Sequence, residues 1–216
     1  MRKVICSIGS GPHAELLGIS GETFRVYAER HGYDVDLRTE LLDADRPASW
    51  SKVLLLKELL EDYDFTFWVD ADAAIVDASS DVADEIERGK LLYIVAHEYD
   101  NQVVPNLGVI GMRAGRRARK FLDLLWGDER YIDHKWWENA AALRLLGYDF
   151  EPVVHRQATP WYRHTKFIPR AWNSIAADAS EHPRINHYPG RSHEFRLEHL
   201  RADAENLRAS TTTAKG

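Results

Sequence analysis

The sequence predicts a single α/β domain in which a mostly parallel central sheet is covered by helices. Apolar runs of strand length alternate with segments of helical periodicity, which is the pattern of parallel sheets. The 216 residues suffice for one sizeable core, and the apolar fraction of 44% is ordinary for a globular chain. We assign residues 1–202 to this domain and expect residues 203–216 to form a polar, disordered tail.

Strands are predicted where apolar, β-prone or alternating runs occur. These runs are residues 3–8, 33–37, 65–69, 91–95 and 107–112. The run Phe65–Val69 is β-prone and is bounded by Asp64 and Asp70, so it predicts a central strand. Ligands of such sheets lie beyond the carboxyl ends of the strands, so a site is expected directly after Val69.

Helices are predicted where apolar side chains recur at helical spacing. These segments are residues 13–31, 50–60, 81–88, 114–126 and 135–146. The first is closed by Gly32 and the last by Gly147, since glycine commonly terminates helices. From about residue 150 onward the sequence is irregular, with several prolines and aromatic residues.

The charge and the cysteine content exclude some classes of function. The formal net charge of -6 argues against nucleic acid as a partner, because phosphate backbones are bound by basic surfaces. A small phosphorylated ligand stays possible where a metal ion neutralises its charge. Cys6 is the one cysteine, so there is no internal disulfide. The apolar run Val4–Ile8 is too short for a signal peptide or a membrane span, and we expect a cytoplasmic protein without a membrane span.

The pair Asp70 and Asp72 is the first candidate for a metal site. The Asp-x-Asp pattern itself is weak evidence, because it also occurs at Asp34/Asp36, Asp43/Asp45 and Asp62/Asp64. Asp70 and Asp72 differ in lying between two apolar runs, where carboxylates are costly to desolvate without a positive partner. Carboxylate oxygens suit Mg²⁺ and Mn²⁺, so a divalent cation would be that partner. The alternative is an ordinary strand-end turn.

A second chemistry for this pair is phosphoryl transfer by a haloacid-dehalogenase-like phosphohydrolase, in which Asp70 would be the nucleophile. Two features argue against this hypothesis. In such enzymes the motif usually follows the first strand, not a strand near residue 70. The pattern also requires threonine two residues after the second aspartate, where this chain has Ala74.

An ordered series of segments carries a resemblance to a known family. The segments are Tyr27–Tyr33, Trp50–Lys52, Trp68–Ala73, Asn106–Ile110, Trp137–Asn139, Ile168–Ser174 and His187–Gly190. In order and spacing they resemble the galactosyl/mannosyl and xyloglucan xylosyltransferases (glycosyltransferase family 34), which are related to glycogenin- and galactinol-type transferases. The likeness extends over roughly residues 1–190. It implies the Rossmann-related GT-A fold and transfer with retention of configuration.

The resemblance also implies a metal site. In the family the Asp-x-Asp pair binds Mn²⁺ and the donor diphosphate, which gives these roles to Asp70 and Asp72. A late histidine in a His-aromatic-x-Gly segment completes the metal site, and His187 matches it. Gly190 would let the backbone approach the phosphates, and Arg191 would contact the leaving diphosphate. The alternative for His187 is an ordinary surface-loop histidine.

Further donor contacts are expected around this centre. Ser7 and Gly9, in the loop after the first strand, would meet the nucleoside, although this loop lacks the full Rossmann glycine pattern. Lys52 would stabilise the departing diphosphate, unless it faces solvent on its helix. Asn106 would hydrogen-bond the donor sugar, or is a turn residue after Pro105.

The resemblance places an acidic or amide pair on the far face of the anomeric carbon, which gives Glu138 and Asn139 a catalytic role. Retention needs either a nucleophile there or a front-face internal return, and Glu138 is the candidate nucleophile. The alternative is an acidic residue in the first turn of a helix. Trp137 and Trp161 are candidates for stacking on the acceptor sugar, although most tryptophans are core residues.

These observations predict a metal-dependent glycosyltransferase that uses Mn²⁺ or Mg²⁺. It would move a hexose or pentose from a nucleotide sugar, with UDP as the expected nucleotide, to a hydroxyl-bearing acceptor. One alternative is a non-catalytic nucleotide- or glycan-binding protein on the same fold, and the other is the phosphohydrolase. The expected partners are therefore the donor and the acceptor, with neither nucleic acid nor membrane.

Overall fold

A six-stranded sheet forms the centre of the computed structural model, which describes residues 1–99, 102–150 and 153–213. The strands are β1 (Lys3–Ile8), β2 (Asp34–Arg38), β3 (Phe65–Val69), β4 (Ala73–Ile75), β5 (Leu92–Tyr99), β6 (Gln102–Arg113), β7 (Tyr148–Asp149), β8 (Val154–His155), β9 (Thr165–Phe167), β10 (Ser174–Ile175) and β11 (Ile185–His187). The α-helices are α1 (His13–His31), α2 (Ser51–Leu59), α3 (Arg116–Trp126), α4 (Trp137–Leu146), α5 (Pro160–Arg163) and α6 (His193–Thr213). Single 3-10 turns lie at Ala48–Trp50, Val82–Glu85, Glu129–Tyr131 and Arg170–Asn173.

The strand order of the central sheet is β2-β1-β3-β6-β5-β9. Three of its five strand pairs are parallel, and the two pairs that involve β6 are antiparallel. The prediction of a mostly parallel sheet covered by helices is therefore confirmed. The predicted strands near residues 91–95 and 107–112 are longer than expected, because β5 and β6 pair with each other as a long hairpin.

The two faces of the sheet carry separate parts of the core. In β3, Trp68 packs with the apolar faces of α2, α3 and α4. Phe65 and Phe67, its neighbours in the alternating pattern, pack on the opposite face with α1 and with Trp172 of the 170–173 turn. Because β3 is buried on both faces, its residues are apolar apart from the buried Thr66, which is the pattern of a central strand.

A small second sheet, with the order β10-β11-β4, lies beside the end of β3. Its strands have two or three residues each. Strands of this length are too short to show an alternating apolar and polar pattern. The sequence after residue 150 therefore did not predict them. This sheet brings residues 174–175 and 185–187 next to β4, and so beside the three residues 70–72 that connect β3 to β4.

The expectation of a disordered tail is wrong for residues 203–213, which continue helix α6. Ala204 and Leu207 are buried, and Leu207 joins the core cluster of α1. The Asp203 carboxylate accepts hydrogen bonds from the Tyr188 hydroxyl (2.6 Å) and the Asn186 amide (3.1 Å). The polar composition of this segment is that of a half-exposed helix with a few buried contacts. Residues 214–216 lie outside the described residues.

Within the described part of the chain, no helix combines the length and the apolar character that crossing a membrane requires. The expected cytoplasmic location stays a prediction.

The packing of the last helix is tested by Leu207→Ala. We expect it to lower the free energy of unfolding by about 2–4 kcal/mol, because a buried leucine is lost and a cavity is left. Urea unfolding followed by circular dichroism measures this change. The matched control is Leu124→Ala on the exposed side of α3, where Leu124 retains 42% exposure and the cost should stay within about 0.5 kcal/mol. Equal small effects in both variants would show that the end of α6 does not pack as described.

Candidate metal and donor site

The backbone places Asp70 and Asp72 in the turn between β3 and β4. The Asp70 N–H donates to the carbonyl of Gly108 on β6 (2.8 Å), which fixes the start of the turn against the central sheet. The Asp72 carbonyl accepts from the Tyr188 N–H (3.0 Å), directly after β11. Since β4 pairs with β11 antiparallel, His187 lies opposite Ala73 and beside the aspartate pair. The strand-end position predicted for the site is therefore occupied by this pair.

One oxygen of Asp70 is held by the protein. Its Oδ1 accepts from the indole Nε1 of Trp68 (2.6 Å) and forms an ion pair with Nζ of Lys52 (3.0 Å). The other oxygen, Oδ2, faces Nε2 of His187 at 3.9 Å. Two donors thus fix the orientation of this carboxylate and leave its second oxygen directed at the histidine.

The carboxylate of Asp72 also has a different partner at each of its two oxygens. Its Oδ1 lies 3.3 Å from Nε2 of His187, and its Oδ2 lies 3.3 Å from Nη1 of Arg196. Burial alone would raise the pKa of this carboxyl, but the hydrogen bond and charge that a protonated His187 supplies, helped by the charge of Arg196, lower the pKa to about 2. Asp72 is therefore an anion throughout the neutral range.

The tautomer of His187 follows from a chain of hydrogen bonds that begins at a backbone donor. The Gly108 N–H points at the side chain of Asn106 (2.8 Å), so the atom it meets must be the amide oxygen. That oxygen also accepts from the amide nitrogen of Asn173 (2.9 Å), which leaves the Asn173 oxygen facing Nδ1 of His187 (2.8 Å). The proton of the neutral imidazole is consequently assigned to Nδ1. In this neutral form, which is the form a metal ligand takes, Nε2 would carry its lone pair on the side of the two aspartates.

The geometry of this group fits a divalent cation. One ligand atom each from Asp70, Asp72 and His187 lies within 4.8 Å of the others. Two carboxylate oxygens and one imidazole nitrogen are ligand types that hard and borderline divalent cations accept. The Asn173–His187 hydrogen bond has the form of the outer contacts that orient metal-binding histidines. Three protein ligands leave coordination positions for water or phosphate oxygens.

Lys52 does not face solvent, so that alternative is wrong. It is 5% exposed, and its ammonium lies 3.0 Å from each of Asp70 Oδ1, Glu138 Oε1 and the Leu107 carbonyl. Burial alone would lower the pKa of Lys52, but the two carboxylates outweigh burial and raise it. The three donors of the ammonium are all used by these partners, and the buried Glu138 serves as its counter-ion.

Gly108 is needed for the approach of His187 to β6. A methyl group at this position would overlap Cε1 of His187 and lie 2.8 Å from its Nδ1. The same methyl would come within 2.9 Å of the Asn106 oxygen. Even alanine is therefore excluded from this position unless His187 moves.

The residues expected to contact the nucleotide are placed as follows. Ser7, expected in a loop, lies inside β1 and is fully buried. Gly9 packs against the first turn of α1, where a side chain would overlap the His13 carbonyl. Gly190 has a left-handed backbone with φ of 68°, as a glycine turn requires. The side chain of Arg191 is exposed and lies over the Phe195 ring at 5.3 Å. Their donor contacts stay predictions.

The structure places the residues expected at the reacting carbon and at the acceptor in different surroundings, as follows. Asn139 accepts from the Leu107 N–H (2.8 Å) and so ties α4 to β6, beside the Lys52–Glu138 pair. Trp137 is 44% exposed and is the non-glycine residue with positive φ (44°) in the described ranges. Trp161 packs edge-on against the buried Phe121 at 5.6 Å, which is a core contact. The acceptor role of both tryptophans stays a prediction.

Two contributors to the site were not found from the sequence. Asn173 orients His187 and lies in the Arg170–Asn173 turn, within the segment Ile168–Ser174 that carried part of the family resemblance. Arg196 contacts Asp72 from the first turn of α6. A basic residue was expected directly after the His187–Gly190 segment at Arg191, whereas the basic side chain that contacts Asp72 lies five residues further on.

Comparison with known proteins identifies the fold. The structure matches a glycosyltransferase involved in the glycosylation of the major capsid of PBCV-1 with a TM-score of 0.71 and 16% identity, over 94% of this chain and 100% of that one. It matches galactosyltransferase LgtC, in complex with donor and acceptor sugar analogs, with a TM-score of 0.62 and 11% identity, over 94% and 96% of the two chains. The chain has the GT-A glycosyltransferase fold.

The sequence comparisons agree with the GT-A assignment. Residues 9–100 match the galactosyl transferase GMA12/MNN10 family, which is glycosyltransferase family 34. Over 106 residues the chain is 30% identical to xyloglucan 6-xylosyltransferase 2 of Arabidopsis thaliana. Over 108 residues it is 32% identical to the probable xyloglucan 6-xylosyltransferase 1 of Oryza sativa subsp. indica. Both alignments cover 46% of this chain and 23% of the relative, so the chain spans less than a quarter of these relatives' length. The predicted resemblance is confirmed.

The contact between Gly108 and His187 is tested by Gly108→Ala. We expect the affinity for Mn²⁺ to fall by about tenfold to a hundredfold, as when an outer contact of a metal ligand is lost, although no ligand atom is removed. Isothermal titration calorimetry measures this affinity for Mn²⁺. Gly18→Ala on the open surface of α1, where nothing lies within 4 Å of the added methyl, should leave the affinity unchanged. An unaltered affinity in Gly108→Ala would mean that His187 is not a ligand.

The burial of Lys52 is tested by Lys52→Met. We expect the free energy of unfolding to fall by about 3–5 kcal/mol, because Asp70 and Glu138 lose a buried counter-charge. The control is Lys57→Met on the same helix, whose surface pair with Asp123 is worth at most about 1 kcal/mol. Chemical denaturation compares the two variants, and similar losses in both would contradict the buried position of Lys52.

Proposed function

We propose that this chain is a metal-dependent glycosyltransferase that moves a hexose or pentose from a nucleotide sugar, UDP-linked, to a hydroxyl-bearing acceptor. The observation that carries the proposal is the convergence of Asp70 Oδ2, Asp72 Oδ1 and His187 Nε2 after the central strand of a GT-A fold. Mn²⁺ is the proposed cation, with Mg²⁺ as the alternative, because this mixed ligand set accepts both.

The chemistry required is the departure of a nucleoside diphosphate from the anomeric carbon. A bound divalent cation supplies Lewis acidity for the negative charge that develops on the leaving group. The protein's part is to hold its ligand atoms in place before the substrate arrives. Trp68 and Lys52 do so for Asp70, and Asn173 does so for His187. Preorganised groups of this kind stabilise the transition state without a reorganisation cost.

Lys52 contributes in a different way from that expected. Its ammonium is saturated by two carboxylates and a carbonyl, so it has no donor left for a phosphate. We assign it the role of fixing Asp70 in the donor site and neutralising Glu138. Of the two routes to retention, the burial of Glu138 beneath Lys52 supports front-face internal return, since a nucleophile needs an open path to the anomeric carbon. Glu138 and Asn139 then position the strand that lines the proposed sugar subsite.

The relatives guide the choice of donor. The sequence relatives are named xyloglucan 6-xylosyltransferases, and one structural neighbour is named a galactosyltransferase. UDP-xylose and UDP-galactose are therefore the donors to test first, with UDP-glucose beside them. A glycan hydroxyl is the acceptor class that follows from the same relatives.

The proposal is tested by Asp72→Ala. Thermal unfolding of the unaltered protein should show stabilisation that needs UDP and Mn²⁺ together, amounting to roughly 2.7 kcal/mol at about a hundred times the dissociation constant. We expect Asp72→Ala to lose this stabilisation and the release of UDP from a UDP-sugar, because one of three metal ligands is gone. Asp62→Ala, in an exposed Asp-x-Asp pair outside the site, should keep both.

The same assays separate the alternatives. Stabilisation by UDP and Mn²⁺ without turnover of any donor would indicate a non-catalytic nucleotide-binding protein. Hydrolysis of p-nitrophenyl phosphate that is lost in Asp70→Ala, with no response to UDP, would indicate a phosphohydrolase. Unchanged sugar transfer by Asp72→Ala would refute the metal site.

A further inference from the structure

Arg196 is the cationic side chain that contacts the metal-ligand group without being saturated by carboxylates. Its Nη1 lies 3.3 Å from Asp72 Oδ2 and 2.9 Å from Nε2 of His13. Its Nε and Nη2 donate to the carbonyl of Arg191, at 2.9 Å and 2.7 Å. The side chain retains 16% exposure. The guanidinium is thus held at the edge of the site by a backbone carbonyl and is open to solvent on one side.

The contact with Arg196 determines the protonation state of His13. A guanidinium has donors and no acceptor, so Nε2 of His13 must accept the bond and the imidazole is neutral. His13 begins helix α1, directly after the loop at Gly9–Gly11 that follows β1. Arg196 therefore joins three parts of the molecule that meet at the site: the aspartate turn, the start of α1 and the start of α6.

The charge of Arg196 would have opposite effects on the binding of a divalent cation and on the binding of a diphosphate. A divalent cation on Asp72 Oδ1 would lie a few ångströms from the guanidinium on Oδ2, and like charges at that separation repel. A diphosphate bound to that cation would bring anionic oxygens to the same edge, where the guanidinium can donate two parallel hydrogen bonds. The side chain opposes binding of the cation alone and favours binding of the diphosphate.

We propose that Arg196 is the diphosphate anchor of this chain and that it couples nucleotide binding to metal binding. Before ligands bind, it neutralises Asp72. When a cation is held by Asp72, the guanidinium exchanges this partner for an oxygen of the diphosphate, while the Arg191 carbonyl keeps it in place. This inference rests on the proposed function. It replaces the Arg191 side chain, which lies over Phe195, by Arg196 as the basic group at the leaving diphosphate.

The test is calorimetry on Arg196→Gln, with Mn²⁺ alone and with UDP at saturating Mn²⁺. We expect the affinity for Mn²⁺ alone to rise by about tenfold, because a repelling charge is removed. We expect the affinity for UDP to fall by about tenfold to a hundredfold, because charge-assisted hydrogen bonds to the phosphates are lost. Uridine, which has no phosphate, should bind both proteins equally.

Two further variants control for structural effects. Arg201→Gln lies on the same helix, where Arg201 pairs with Glu15 on α1 in an exposed position, and should bind both ligands as the unaltered protein does. Arg196→Lys keeps the charge but loses the planar fork of donors. It should show Mn²⁺ affinity near that of the unaltered protein and an intermediate loss of UDP affinity, and it decides the question should Arg196→Gln not fold by circular dichroism.

Each remaining outcome overturns the inference in a distinguishable way. A loss of both Mn²⁺ and UDP affinity in Arg196→Gln would mean that Arg196 only orients Asp72. Unchanged affinities, with the unaltered protein binding both ligands, would remove Arg196 from the donor site and leave the proposed function intact. An unaltered protein that binds neither Mn²⁺ nor UDP would overturn the proposed function and this inference together.

Discussion

The concentration of negative charge at the end of the central strand is the constraint on which the site depends. Asp70, Asp72 and Glu138 lie within one largely buried region, and carboxylates so close together repel unless positive groups are placed between them. Lys52 supplies one such charge on the buried side of the site, and Arg196 supplies another at its partly exposed edge. Because each of these cations occupies one oxygen of an aspartate, the remaining oxygens are turned toward His187. The ion pairs that neutralise the buried carboxylates thus also leave a group of side-chain atoms that could hold a metal ion.

The orientation of His187 depends on a second, uncharged network. A backbone N–H of β6 determines which atom of Asn106 is the oxygen, and that choice passes through Asn173 to the imidazole. Every link is a neutral hydrogen bond in a buried region, where an incorrect orientation would leave a polar group unpaired. The absence of a side chain at Gly108 allows the imidazole to lie against the strand. The nitrogen that we propose as a metal ligand is therefore determined by the packing of β6, β11 and the 170–173 turn, not by the histidine alone.

Much of the fold could be predicted because the strongest elements carry local signals. β3 is a β-prone run with four apolar residues out of five, α1 ends at a glycine, and the aspartates follow the strand where ligands of such sheets lie. The α6 segment was missed because few of its residues are buried, so its polar surface resembles a disordered tail. Lys52 was difficult to place, since a helical lysine is buried only when carboxylates reach it, and these come from a turn and from another helix that are distant in sequence. Asn173 and Arg196 gain their roles from contacts across the second sheet and α6, which no local pattern encodes.

The charges of the proposed site would also favour an order of binding. Three carboxylates and two cationic side chains leave one excess negative charge when His187 is in the neutral form that a metal ligand takes and His13 is neutral. A nucleotide diphosphate that arrived first would meet this excess and be repelled. A divalent cation that arrived first would reverse the sign of the site, and the diphosphate would then be attracted by both the cation and Arg196. Since binding free energies are reciprocal, the nucleotide must in turn strengthen the hold on the cation. The proposed site would therefore bind a cation and a diphosphate as a unit, and the departure of the diphosphate after the proposed transfer would weaken the binding of the cation.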